Sequence, residues 1–125
     1  MKIGIERLIS DLHENGYETA TQAQAPDGTF YAVIPEFIIP GGSFADRVIS
    51  LAIPAPANYP QGVGASIHIK ALPVLSPVGS IPGKRNVIAS SLGGEWQYWS
   101  YKFNLYQNNP TGELIAQING IFNQN

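Results

Sequence analysis

No cysteine occurs among the 125 residues. That excludes disulfides, thiolate metal sites and a cysteine nucleophile, and it fits a reducing compartment. Charge is also scarce: Asp, Glu, Lys and Arg make up 13% of the chain, against roughly a quarter in an ordinary globular domain. The surface must therefore be covered largely by amides, hydroxyls, glycine and backbone, as suits long polar loops or a face meant to be covered. The formal net charge is −2, with no basic run. The nearest thing to one, Lys84-Arg85 in a Pro/Gly stretch, reads as a solvated turn, so nucleic acid is not an expected partner. No stretch approaches the ~18 uninterrupted apolar residues of a membrane span. The first residues alternate charge with apolar groups, unlike a secretory leader. The expected location is cytoplasmic, without membrane partners.

Histidine is nearly absent as well, with His13 and His68 the only two. They are far apart in sequence and have no carboxylate at ligand spacing, so neither a metal nor any other cofactor is expected. Gly41-Gly42 and Gly93-Gly94 lack the strand–glycine loop–helix context of phosphate binding. Asp46-Arg47 reads as a strand-edge pair.

What is present patterns clearly at both ends. Over residues 3–15, Ile5, Leu8, Ile9 and Leu12 form one apolar helical stripe, and Asn15-Gly16 is a stop signal. Near the C-terminus, Asn109-Pro110 reads as an N-cap followed by proline at the first helical position. Leu114, Ile115, Ile118, Ile121 and Phe122 then recur at helical spacing, which predicts a helix over about 110–123. Between the helices the period shortens to two. Tyr17 to Ala25 and Thr29 to Ile34 flank Pro26-Asp27-Gly28 and predict a hairpin. Pro35 and Pro40-Gly41-Gly42 interrupt the ladder around a short extended piece, Glu36 to Ile39. Asp46 to Ile53 and Ala65 to Ala71 predict further strands, separated by a proline-rich stretch, Pro54 to Pro60, that does not suit a central strand. Residues 72–94 read as a long irregular loop. The aromatic run Trp96 to Tyr106 has no decisive period. The expected fold is a single α+β domain over residues 1–125: an N-terminal helix, an antiparallel meander of three to four strands, a long loop and a C-terminal helix.

That order resembles the ubiquitin-conjugating (E2) fold. Leu51-Ala52-Ile53-Pro54 running on to Asn58-Tyr59-Pro60 is similar to the E2 strand that enters a Tyr-Pro turn before the next strand. Gly16-Tyr17, Ile34-Pro35, Phe37 to Gly41 and Trp96-Gln97-Tyr98-Trp99-Ser100 resemble a bacterial group, prokaryotic E2 family E. The resemblance spans about residues 8–123. It implies a place in a bacterial ubiquitin-like system, with a ubiquitin-like protein and an E1-like enzyme as partners and a JAB-type protease as a genomic companion. Two departures stand against activity. There is no cysteine to carry a thioester, and Leu72-Pro73-Val74 stands where a His-Pro-Asn motif is expected. The expectation is a non-catalytic, E2-like binding protein.

Two alternatives stay open. One is an enzyme that uses a serine acceptor, Ser90 or Ser91, in the region where the family carries its cysteine; as plain sequence these read as a Ser-Ser-Leu-Gly-Gly turn. The other is a structural or assembly protein of coincidentally similar order. The candidate binding residues are Tyr98, Tyr101, Trp99 and Tyr59, since Tyr and Trp dominate interface energies. The same aromatic run also suits a core, and Tyr59-Pro60 suits a structural turn. His68, flanked by Ile67 and Ile69, is expected on the opposite, polar face of its strand. His13, late in its helix, suits the C-terminal end of the dipole.

Overall fold

The computed structural model describes residues 3–59, 61–62, 66–71, 87–90, 93–100, 103 and 109–123. Helix α1 spans Gly4–Glu14. It ends where the sequence predicts: Gly16 sits at φ 97°, its N–H bonds to the carbonyl of His13, and the N–H of Tyr17 bonds to that of Leu12. This pair of bonds satisfies the last helical carbonyls and needs a residue that accepts a left-handed backbone. Helix α2 spans Pro110–Asn123. Asn109 caps it as expected, accepting the Gly112 N–H on its side-chain Oδ1 at 3.2 Å and the Glu113 N–H on its carbonyl at 3.0 Å. Among the described residues no helix is long and apolar enough to cross a membrane.

Among the described residues, six strands form one antiparallel sheet: β1 (Thr21–Gln24), β2 (Phe30–Ile38), β3 (Val48–Ala55), β4 (Ser66–Lys70), β5 (Val87–Ser90) and β6 (Gly93–Ser100), in the order β1-β2-β3-β4-β6-β5. The first four are a meander, as the sequence predicts. The β5–β6 hairpin is an addition, and it falls partly inside the stretch read as loop; the rest of that stretch, residues 72–86 and 91–92, lies outside the described residues. Glycine and proline punctuation hid these strands, and the edge on which β6 docks, β4, is distant in sequence. β6 also resolves the first half of the aromatic run, Trp96 to Ser100, as strand.

Three boundaries differ from the sequence reading. The first strand is only Thr21–Gln24; Glu18 and Thr19 lie in a turn, and Tyr17 packs on the core instead. β2 continues through Pro35 because a bulge between Ile34 and Phe37 takes Pro35 and Glu36 out of the ladder. That part of β2 also lies past the end of β1 pairing, at Val33, so the missing proline N–H breaks no bond there. β3 runs on through Pro54, which stays in register with Tyr31 of β2 while the pairing with β4 ends at Ala52. The Asp46-Arg47 pair sits in the turn before β3 rather than on a strand edge, with Asp46 at φ 67° donating its N–H to the Ile39 carbonyl at 2.9 Å.

Strand alternation sorts the side chains into two layers. Ile34, Leu51, Ile53, Ile67, Ile69 and Trp99 face the helices and join Leu8, Leu12, Leu114, Ile118 and Phe122 in the main core. Each such fully buried side chain contributes roughly 1.5–3 kcal/mol over leaving it in water. The other face carries a smaller cluster of Ala25, Tyr31 and Ala52, with Val33 and Trp96 packed against it. Replacing Asn109 with alanine is expected to lower stability by about 1 kcal/mol. A urea titration reads this as a lower midpoint with an unchanged slope.

Candidate functional site

The sequence-derived binding residues separate into interior and surface groups. Tyr59 is fully enclosed, at 0% exposure. It belongs to the turn between β3 and β4, held by its own N–H to the Pro56 carbonyl at 3.0 Å. Its phenol meets Thr111 Oγ1 at 2.6 Å, and the Thr111 hydroxyl donates to Asp11 Oδ2 at 2.7 Å. Because threonine has one hydroxyl proton and gives it to the carboxylate, Tyr59 must be the donor to Thr111. Arg7 Nε completes the chain, 2.7 Å from the same Asp11 oxygen. Burial holds the Tyr59 phenol above its ordinary pKa, which keeps that proton in place. The Tyr59 carbonyl in turn accepts the Gly4 N–H at 2.9 Å, the first donor of α1. Gly4 sits at φ 67°, and a Cβ there would lie 3.1 Å from the Ala57 carbonyl oxygen, so the approach suits glycine alone.

Trp99 is likewise interior, 1% exposed and tilted against Phe122 with ring centroids 6.1 Å apart. Its indole N–H donates to Gln97 Oε1 at 3.3 Å, which satisfies a buried donor on the helix side of the sheet. Tyr98, one residue along, is partly buried on the opposite face. Of the four candidate binding residues, the structure therefore places Tyr98 at a surface layer and Tyr59 and Trp99 in the core. Tyr101 lies outside the described residues, as does Ser91; the backbone of Ser90 is the last residue of β5.

The two histidines take different roles. His13 Nε2 lies 2.9 Å from the Ala20 carbonyl; only a protonated nitrogen can donate there, so this contact ties the end of α1 to the start of β1. His68 is on the face opposite Ile67 and Ile69, as the strand period requires. It is not solvated there, however, being 2% exposed. Tyr31 from β2 and Tyr98 from β6 meet its ring edge-to-face, with centroids 4.7 and 5.2 Å away. Ser66, two positions back on the same strand face, places Oγ 3.2 Å from Nε2. Burial lowers the His68 pKa to about 4, with the charge of Asp27 pulling weakly the other way. The ring is therefore neutral near neutral pH.

A serine beside a histidine suggests a nucleophile and its base, but the arrangement suits packing better. Ser66 is 4% exposed, and so depressed a pKa makes His68 a weak proton acceptor. The local sequence Ser-Ile-His-Ile signalled the alternation but not this enclosure, since the two tyrosines arrive from other strands.

A separate open cleft of about 650 Å³ lies between the start of α1, the β1–β2 turn and the end of β3. Ile3, Phe30, Pro54 and Pro56 line it, and among the described residues Glu6 is the single charged one on its wall. Among the described residues, no three His, Asp or Glu side chains come together as a metal site.

Cutting the Tyr59 chain at different points separates its parts. Tyr59→Phe is expected to cost about 1 kcal/mol, because Thr111 keeps its bond to Asp11. Thr111→Val is expected to cost more, about 2–3 kcal/mol, because it strands both a buried phenol and part of a carboxylate. Chemical denaturation of the two variants side by side gives the ordering. Comparison of the chain with protein-family models, curated proteins and solved structures finds no match.

Proposed function

We propose that this chain is a non-catalytic, E2-like protein that binds a ubiquitin-like modifier or its E1-like activating partner. The observation that carries the reading is a pairing. The helix–meander–helix order with Tyr59-Pro60 and Trp96-Gln97-Tyr98-Trp99 resembles the ubiquitin-conjugating group, while the sequence holds no cysteine to form a thioester. The first four strands supply the meander expected of that fold, and the β5–β6 hairpin extends it. A protein with this order and no thiol can hold a modifier but cannot receive it by thioester exchange. Its interior tyrosine and tryptophan then serve as packing, with contact left to the exposed surface.

A second reading, a structural or assembly protein, draws on one feature. Ile38 and Val48 are cross-strand partners at the end of β2 and the start of β3, and both are more than half exposed. Adjacent apolar side chains in water at a strand end suit a contact between subunits.

Affinity capture of the tagged protein from its native cells, followed by mass spectrometry and a titration with the purified partner, distinguishes the two. Saturable binding of a ubiquitin-like or E1-like protein is the expected result. No complex at high micromolar concentration, together with self-association in sedimentation, would replace it with the assembly reading.

A further inference from the structure

The sheet divides the interior into two layers of unequal chemistry. The helix-side core is apolar apart from hydroxyl and amide groups that are paired: Tyr59 with Thr111, and Trp99 with Gln97. The outer layer is small, made of Ala25, Tyr31 and Ala52 with Val33 and Trp96, and it encloses an imidazole. Each layer contains one tryptophan, Trp96 outside and Trp99 inside.

We propose that this outer layer is an acid-released surface: on acidification the packing of Tyr31 and Tyr98 around His68, and of Trp96 against the cluster that contains Tyr31, opens to water while the helix-side core stays folded. The driving force is solvation of a charge. A protonated imidazole enclosed between the Tyr31 and Tyr98 rings, at 2% exposure, gives up the hydration that a charge has in water. Its Nε2, once protonated, can still donate to Ser66, so the cost lies in the lost hydration of the enclosed charge.

Among the described residues, the titratable and charged groups facing this ring are few. They are Tyr31 from β2, Tyr98 from β6 and Asp27 from the β1–β2 turn, with Lys70 further along β4 on the same face. Asp27 favours the proton, but weakly against burial. The sign follows from proton counting. A solvated histidine titrates near 6.5, and the enclosed one near 4. Between those values the open layer binds more protons than the closed one. Closure therefore keeps its full advantage above about pH 6.5 and loses it as pH falls toward 4, by up to about tenfold per pH unit. The main core holds no buried histidine, so it has no matching reason to open in that window.

The test uses the whole chain labelled with fluorotryptophan and followed by fluorine NMR from pH 7.5 to 3.5; a Trp96→Phe sample assigns the two resonances. The expected result is that the Trp96 signal moves to its solvent-exposed position at higher pH than the Trp99 signal and the helical circular dichroism. In His68→Gln the Trp96 transition is expected to fall back toward that of Trp99. Coincident transitions of both tryptophans and the helices in the unmutated chain would overturn the proposal without reference to any variant. So would a Trp96 transition in His68→Gln that keeps the same midpoint and the same separation from Trp99.

Discussion

The fold depends on one hydrogen-bond chain that runs from the interior outward, in which buried Tyr59 donates to Thr111 and Thr111 to the partly buried Asp11, with Arg7 on the far side of the carboxylate. These residues belong to the β3–β4 turn, the first turn of α2 and the middle of α1. Hydrophobic burial alone would let two helices slide on a sheet face, since it is proportional to area and has no direction. A buried polar chain is directional, because leaving any member unpaired costs its full desolvation. It fixes where α1 and α2 sit, and the Gly4 N–H to the Tyr59 carbonyl adds a second tie at the helix start. The aromatic contacts of Phe122 with Phe37 and Trp99 fill the space so registered.

The same anchoring explains why the aromatic residues that look most like interface groups in sequence lie inside. Tyr59 and Trp99 carry a polar handle on a large apolar ring, a combination equally suited to a binding surface and to a core that must satisfy a donor. What decides between them is whether a partner stands within the fold. Thr111 is 52 residues away from Tyr59, and no local pattern reveals it. Trp99 finds Gln97 on its own strand, yet its burial comes from Phe122 on the last helix.

His68 shows the same principle on the opposite face. The strand period placed it away from Ile67 and Ile69, which predicts a solvated polar residue. The pairing of β4 with β3 and β6 instead brings Tyr98 beside it and Tyr31 over it. A histidine that would be hydrated on an isolated hairpin thus becomes the titratable centre of an enclosed layer. The proposed E2-like role and the acid-released layer occupy different parts of the chain's chemistry. The first follows from the missing thiol and the order of elements, the second from a ring that the sheet has closed over.

The sequence by itself determined the features that depend on neighbours within a turn or two. These are the stripe and stop of α1, the Asn109 cap of α2, the Pro-Asp-Gly hairpin, the alternation of β3 and β4, and the absence of any thiol. Such features rest on backbone geometry and periodicity, which a few adjacent residues fix. Tertiary structure alone decided the rest. It carried β2 through Pro35 at a bulge past the end of β1, and β3 through Pro54 where the strand is paired on its β2 side but no longer with β4. It made strands of the β5–β6 residues, with β6 paired to β4 and β5 to β6, because a ladder rewards extended backbone wherever an open edge is available. It also sent Tyr59 and Trp99 inward and closed the sheet over His68, since burial is a property of what packs against a side chain and not of the side chain itself.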